Sequence, residues 1–266
     1  EIEKNNEMLR GVFSYTHFKD INDHALFNIA TSILDKYDFC ISSKKQSFLT
    51  ENFTLYVEKA LELFIQREGS KGVLEASPKE IRNLLVTILD VHYGNIYDGT
   101  AGLNGFLIQA YKQAIEKNGF VHLFGQEANM KTWALGRMNL ILHGLYSDIA
   151  EVKCGDTIIN PFWKDEDGNL MKFDGILSNP PFGISNWGYE VVEKDLYNRF
   201  KFGMPSKSSG DWAFISHFIA SLNERGKAAL VVPHGVLFRG AKEGTIRKRV
   251  IQEDLIEAVI GLPSNL

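Results

Sequence analysis

Short β-type runs alternate with longer helical runs from about residue 73 onward, and this alternation restricts the fold more than any other feature of the sequence. The expected strands are 95–97, 121–124, 152–154, 175–177, 228–232 and 258–260. The expected helices are 78–90, 106–117, 129–143, 212–224 and 243–252. Alternation at this spacing predicts a mostly parallel, doubly wound α/β sheet. Because such sheets bind ligands where the carboxyl ends of the strands meet the loops, the residues after each strand are the candidates for function.

The first 70 residues have helical periodicity and little strand signal. Apolar residues recur at helical spacing in 22–36 and again in 51–66. The segment 68–72 reads Glu-Gly-Ser-Lys-Gly, which is typical of a helix stop and a linker. We therefore expect an N-terminal helical domain over residues 1–70 and an α/β domain over residues 71–266.

Composition excludes several classes of protein. Of 266 residues, 44% are hydrophobic and 23% are charged, which excludes wholesale disorder. No apolar run reaches the roughly 18 residues that a membrane span needs. The two cysteines have no CxxC spacing, so we expect no metal site and no disulfide framework, and a cytoplasmic protein. The net charge of −4 excludes a uniformly basic surface but leaves room for a local basic groove.

Small residues follow the first expected strand, in the segment Asp98-Gly99-Thr100-Ala101-Gly102. Such a loop before a helix lets a ligand approach backbone N–H groups at the helix N-terminus. Glu127 lies 22 residues after Gly105, near the spacing of about 20 residues for an acid that binds ribose hydroxyls. A glycine-rich turn followed by a surface glutamate explains the same pattern, so both interpretations stay open.

The segment Asn179-Pro180-Pro181-Phe182 follows the fourth expected strand and is more specific. Two prolines fix the backbone and remove N–H donors. The Asn179 side chain and the Pro180 carbonyl are then free to accept the two N–H bonds of a planar amino group, and Phe182 offers a face for a base. The alternative is a rigid proline loop that closes the sheet edge.

Two further segments are weaker candidates. Ser77-Pro78-Lys79-Glu80 predicts a capping box with Ser77 as the N-cap, and the positive end of that helix suits a ligand carboxylate. Asp156 follows the third expected strand and is either a turn residue or a ligand contact. A basic cluster over residues 239–249 is either a solvated helix face or a phosphate contact.

Together these segments resemble the modification (M) subunit of type I restriction–modification systems, which are N6-adenine DNA methyltransferases. The segment 179–182 matches the catalytic motif of that family, and 98–106 matches its methionine-binding loop. Ala76-Ser77-Pro78-Lys79 lies where the family has an aromatic-Thr-Pro-Arg segment, and Glu127 ends a strand whose acid holds the ribose. The resemblance runs from about residue 50 to the end.

The resemblance implies a class I (Rossmann-like) methyltransferase domain that transfers a methyl group from S-adenosylmethionine to a flipped adenine in double-stranded DNA. It implies as partners a specificity (S) subunit, a restriction (R) subunit and a second M subunit. The implied catalytic residues are Asn179, Pro180, Pro181 and Phe182. The implied cofactor-binding residues are Ala76, Ser77, Pro78, Lys79, Asp98, Thr100, Ala101, Gly102, Glu127 and Asp156.

The sequence departs from the family pattern at Leu103 and Asn104, which replace two small residues of the cofactor loop, and at Ala76, which replaces an aromatic residue. These departures leave a non-catalytic paralogue open, which would act as a structural or partner-binding module. A protein-glutamine methyltransferase is a second alternative, because it also presents an amide nitrogen to an Asn-Pro-Pro loop. Phe182 in place of tyrosine favours DNA.

Overall fold

The computed structural model describes Arg10 and residues 77–263, and the expected N-terminal helical domain lies outside these residues. Residues 77–263 belong to one compact unit, Glu75–Leu266. Its five strands are β1 (Tyr93–Asp98), β2 (Phe120–Glu127), β3 (Ala150–Cys154), β4 (Phe173–Ser178) and β5 (Leu222–Leu230). Its helices are α1 (Lys79–Leu89), α2 (Gly105–Glu116), α3 (Met130–Leu142), α4 (Tyr189–Val192), α5 (Asp211–Ala220), α6 (Gly235–Phe238) and α7 (Ala241–Gln252).

The five strands form one sheet in the order β3-β2-β1-β4-β5, and every neighbouring pair is parallel. The chain moves outward from β1 to β3, then returns to the other side of β1 for β4 and β5. Because parallel crossovers are right-handed, this reversal places the connecting helices on opposite faces of the sheet. The doubly wound α/β fold expected from the sequence is thus confirmed, and its topological switch point lies between β1 and β4.

The core forms where the buried central strands meet the helices. Ile96 of β1 and Ile176 of β4 are fully buried, and the Tyr97 ring stacks on Phe173 with 4.5 Å between ring centroids. On α1, residues spaced three and four apart are buried, namely Ile81, Leu85, Val86 and Leu89. Helix α1 packs against α2, β4 and β5, which brings its N-terminus to the edge where the strands end.

Two expectations about elements were wrong. Residues 258–260 were expected to form a strand, but they form an exposed irregular segment. The helix expected over 212–224 ends at Ala220, because β5 begins at Leu222 and pairs with Phe173 of β4. Among the residues the structure describes, no helix has both the length and the apolar character needed to cross a membrane.

Candidate active site

The carboxylate of Asp98 lies at the carboxyl end of β1 and is completely buried. Its Oδ1 accepts hydrogen bonds from Ser178 Oγ at 2.7 Å and from the Thr100 backbone N–H at 3.0 Å. Its Oδ2 is buried without a hydrogen-bond partner among the described residues. Burial raises the pKa of Asp98 to about 7, against the opposing effect of these two hydrogen bonds. A buried acceptor without a donor is an unstable arrangement that a cationic or N–H ligand group would relieve.

The loop after Asp98 is held in a fixed shape. The Ala101 backbone N–H binds the Gln126 carbonyl at 3.0 Å, and Asn139 Nδ2 binds the Leu103 carbonyl at 2.8 Å. Asn104 adopts φ 64°, in the left-handed region that asparagine tolerates better than most residues. The replacement of a small residue by Asn104 therefore leaves the turn intact.

Gly136 of α3 lies directly behind this loop. A Cβ at this position would lie 2.7 Å from the Gly102 carbonyl oxygen, so only glycine allows the helix and the loop to approach this closely. Helix α3 therefore packs directly against the backbone of the loop.

Glu127 ends β2 beside the same loop. Its Oε2 accepts the Gly102 backbone N–H at 2.9 Å, and its Oε1 accepts the Asn129 backbone N–H at 2.7 Å. Burial raises the pKa of Glu127, and the backbone hydrogen bonds oppose that effect. Since a carboxylate has about four acceptor positions, Glu127 is able to brace the loop and still accept ligand hydroxyls.

Asp156 follows β3, the strand next to β2. Its Oδ1 accepts the backbone N–H groups of Ile158 and Ile159, both at 2.8 Å. These contacts show a turn-forming role for one carboxylate oxygen. Gly155, immediately before it, donates its N–H to the Glu127 carbonyl at 2.9 Å, which holds the two strand ends together.

The segment Asn179-Pro180-Pro181-Phe182 follows β4, across the switch point from Asp98. Asn179 Nδ2 donates to Ser77 Oγ at 3.1 Å, while Asn179 Oδ1 is buried with no donor from the described part of the chain. Pro180 is buried, whereas the Phe182 side chain is 49% exposed. An unpartnered amide oxygen beside an exposed aromatic ring suits a planar amino-bearing ligand.

The capping box predicted for Ser77 was wrong. Pro78 is the N-cap of α1 and makes no side-chain cap, so Lys79 is the first helical residue. The Ser77 hydroxyl is directed instead to Asn179, on a segment 102 residues away. Ala76 lies outside the described residues.

Sequence reasoning assigned no role to Ser178 or Asp211, which also hold these loops in place. Ser178 bridges the site, because its hydroxyl binds Asp98 and lies 2.7 Å from Thr100 Oγ1. Asp211, whose side chain is 1% exposed, accepts the Gly183 backbone N–H at 2.7 Å just after the Asn-Pro-Pro-Phe segment. A polar residue that directly ends a strand, as Ser178 does, is the available sequence signal for such a role.

The basic cluster over residues 239–249 is largely committed to internal contacts. Arg239 Nη1 binds Asp211 at 2.6 Å, and this carboxylate raises the pKa of the guanidinium. Arg247 binds the carbonyls of Val236 and Arg239, and Arg249 binds the carbonyl of Phe202. Three of the five cations in the cluster thus stabilise the fold.

Six of the predicted residues hydrogen-bond to one another and lie in two groups. Asp98, Thr100, Gly102 and Glu127 lie around the loop after β1, and Ser77 contacts Asn179 across the switch point. Ser178 directly precedes Asn179 and joins the two groups through Asp98. Over residues 77–263, no three His, Cys, Asp or Glu side chains form a group able to hold a metal ion.

Comparison with known proteins places this geometry in a family. Type I restriction enzyme methylase subunits are similar in sequence. The MjaVII subunit of Methanocaldococcus jannaschii is 35% identical over 199 residues, covering 71% of this chain and 33% of the relative. The HindI subunit of Haemophilus influenzae is 29% identical over 272 residues, covering 100% of this chain and 60% of the relative. The chain thus spans about a third to three fifths of these relatives.

Solved structures show the same likeness. A type I restriction-modification methyltransferase subunit from Streptococcus thermophilus is 34% identical, with a TM-score of 0.63 over 72% of this chain and 41% of that chain. A Listeria monocytogenes protein described as a class I S-adenosylmethionine-dependent methyltransferase has a TM-score of 0.62 at 16% identity, over 92% of this chain and 70% of that chain, which shows the fold alone. Residues 51–266 match the family model described as N-6 DNA Methylase. The chain therefore belongs to the N-6 DNA methylase family.

Proposed function

We propose that this chain carries the methyltransferase domain of a type I modification subunit, which methylates adenine N6 in double-stranded DNA. The observation that carries the proposal is the Asn179 amide. Its Nδ2 is occupied by Ser77 and its buried Oδ1 is without a donor among residues 77–263. An amide held in this way lacks one N–H donor, and the exocyclic amino group of adenine supplies it.

The residues around the β1 loop fit S-adenosylmethionine. Asp98 Oδ2 offers a buried acceptor for a ligand ammonium group, and Glu127 offers remaining lone pairs to ribose hydroxyls. Thr100, Ala101 and Gly102 bring the backbone close to the ligand, and Asp156 has a second carboxylate oxygen beyond its turn contacts. The start of α1 at Ser77, Pro78 and Lys79 suits a ligand carboxylate, because helix N-termini favour negative charge. The intact turn at Asn104 supports a cofactor-binding protein over a non-catalytic paralogue.

S-adenosylmethionine, when bound, supplies an electrophilic methyl group on a positively charged sulfur. The chain supplies the position of the base. Asn179 Oδ1 and the Pro180 carbonyl accept the two N–H bonds of the adenine amino group, which withdraws its lone pair from the ring and directs it outward. Phe182 stacks on the flipped base. These contacts would hold the amino nitrogen in one position, which would supply most of the rate acceleration.

Partners and location follow from this function. We infer that a specificity subunit reads the DNA sequence, because the described domain carries no recognition helix of a known DNA-binding type. A restriction subunit and a second modification subunit complete the assembly. The enzyme would act in the cytoplasm, where its DNA substrate lies.

The experiment is a methylation assay with the protein purified together with its specificity subunit. Duplex DNA is incubated with methyl-tritiated S-adenosylmethionine, then digested, and the labelled nucleoside is identified by mass spectrometry. We expect N6-methyl-2′-deoxyadenosine. Cofactor binding without any labelled nucleoside would support the non-catalytic paralogue, and label on protein glutamine would support the glutamine methyltransferase.

A further inference from the structure

The Ser77 hydroxyl connects the start of α1 with the Asn-Pro-Pro-Phe loop, and we propose that it is a positioning residue that sets the orientation of the Asn179 amide in response to cofactor binding. The contact is the 3.1 Å hydrogen bond from Asn179 Nδ2 to Ser77 Oγ. This inference rests on the proposed function, since it concerns how the same site responds to its cofactor.

Ser77 is held firmly enough to act in this way. Arg82 Nη1 donates to the Ser77 carbonyl at 2.7 Å, and the Arg82 backbone N–H binds the Pro78 carbonyl at 3.0 Å. Pro78 adds its fixed φ, which is −52° here. The Ser77 backbone is therefore tied to the first turn of α1, and its hydroxyl is aimed at Asn179 rather than at the helix end.

Arg82 also connects this segment to the cofactor loop. Its side chain packs on Gly105, the first residue of α2, where a Cβ would lie 2.7 Å from Arg82 Cδ. Ser77 thus lies between two parts of the site: the loop after β1 and the amide after β4.

The hydrogen bond between Ser77 and Asn179 can form in two directions. A hydroxyl both donates and accepts, and a primary amide presents either its NH₂ or its oxygen. If Ser77 donated to Asn179 Oδ1, this oxygen would be occupied and would no longer accept a hydrogen bond from the base. If the Ser77 hydroxyl donates its hydrogen bond to a ligand carboxylate, Oγ remains only as an acceptor toward Asn179, so Asn179 must present Nδ2 to it. Asn179 Oδ1 then faces the base.

A carboxylate at the start of α1 would therefore fix the direction that the structure shows, in which Asn179 Nδ2 donates to Ser77 Oγ. The methionine portion of S-adenosylmethionine carries such a carboxylate, and the N-terminus of the 11-residue helix α1 favours it. Cofactor and adenine would consequently strengthen each other's binding by the same factor, as linkage requires.

The first test separates positioning from cofactor affinity. Ser77→Ala should lower kcat about three- to tenfold at saturating S-adenosylmethionine, the range for one lost hydrogen bond. Ser77→Thr should restore kcat, because it restores the hydroxyl. Asn83→Ala, on the exposed face of the same helix, is the matched control and should leave kcat unchanged. A Ser77→Ala enzyme with raised KM for the cofactor but normal kcat would overturn the proposal.

The second test changes the donor molecule, and its main comparison uses the wild-type enzyme. Decarboxylated S-adenosylmethionine has the same sulfonium methyl group but lacks the carboxylate. The wild-type kcat should fall about three- to tenfold with this donor at saturation, whereas Ser77→Ala should hardly distinguish the two donors. Equal wild-type kcat values with both donors would overturn the proposal. Absence of methylation with either donor would instead overturn the proposed function itself.

Discussion

The Glu127 carboxylate accepts the backbone N–H of Gly102 across 2.9 Å and joins the end of β2 to the loop after β1. Its other oxygen holds the Asn129 N–H at the start of α3. The same side chain is thus both a proposed ribose ligand and a brace for two backbone segments, so its removal has two separable effects.

Glu127→Ala should weaken S-adenosylmethionine binding and also destabilise the ligand-free domain. Each lost charge-assisted hydrogen bond to ribose weakens binding by about 1.5–3 kcal/mol. Loss of the acceptor for the two backbone N–H groups lowers the free energy of unfolding by about 1–3 kcal/mol. Calorimetric titration and thermal unfolding measure the two effects. Glu151→Ala on neighbouring β3 removes an exposed glutamate and should change neither. An unchanged dissociation constant for Glu127→Ala would place the ribose contact elsewhere.

Asp98 should release a proton when the cofactor binds. Burial raises its pKa to about 7, so the ligand-free carboxyl is roughly half protonated at pH 7. A ligand ammonium at Oδ2 favours the ionised form, so affinity should rise from pH 6 to pH 7.5, before the ligand amine itself loses its charge at about 7.7–8.0. Calorimetry at pH 7 in buffers of different ionisation enthalpy measures the proton released.

The raised pKa of Asp98 also affects folding stability, which should fall with rising pH whereas cofactor affinity should rise. Between the ordinary value of 3.8 and about 7, folded Asp98 binds more protons than unfolded Asp98. Its contribution therefore favours folding at low pH and is lost as the pH rises through about 7. Asp98→Asn should stabilise the ligand-free domain at pH 8 while weakening cofactor binding and abolishing proton release. Proton release that persists in Asp98→Asn would assign the titration to another group.

Asn179→Ala should lower kcat for methyl transfer by at least about 10²-fold and leave cofactor affinity nearly intact. In the proposed mechanism the amide faces the base, and loss of one preorganised transition-state contact costs about 10²–10³-fold in kcat. Tritium transfer to DNA in the presence of the specificity subunit measures the loss. Asn186→Ala is a matched control, because Asn186 is exposed on the same loop. Near-normal turnover of Asn179→Ala would remove the residue from the mechanism.

Arg239→Ala should act through Asp211 and not through DNA. It leaves the buried Asp211 carboxylate without its cation, at a cost of about 1–2 kcal/mol given that the guanidinium is partly exposed. Methyl transfer should slow, because Asp211 also holds Gly183, which directly follows the proposed catalytic segment 179–182. The salt dependence of DNA binding should stay that of the wild type. Lys248→Ala, an exposed cation on α7, should leave the unfolding temperature unchanged. A lower salt slope for Arg239→Ala would mean that the residue contacts phosphate.

The sheet could be predicted from the sequence because its signals are local. The expected strands are short β-type runs followed by small or polar residues, and the helix over Lys79–Leu89 has a clear helical periodicity of its own. The failures came from long-range pairing. Residues 258–260 have strand-like composition but no neighbouring strand in the described domain, and the helix over 212–224 is cut short because Leu222 pairs with Phe173.

The candidate site was also predictable only in part. Asp98 and Asn179 could be placed after expected strands from the sequence pattern, and Glu127 could be placed at a strand end from the family resemblance. Their hydrogen-bond partners could not, since Ser178 is 80 residues from Asp98 and Ser77 is 102 residues from Asn179. No periodicity encodes contacts at such separations, so they appear only when β1 and β4 lie side by side.

Four contacts hold the loop after β1 in place. They are hydrogen bonds to the Gln126 carbonyl, the Glu127 carboxylate and the Asn139 amide, and close packing against the backbone of Gly136. A loop fixed this firmly has lost its conformational freedom during folding, before any ligand arrives. Binding then incurs little additional ordering entropy, so affinity reflects the direct contacts more fully than it would in a loop that closes on its ligand. For the same reason, we expect product release to require no rearrangement of this loop.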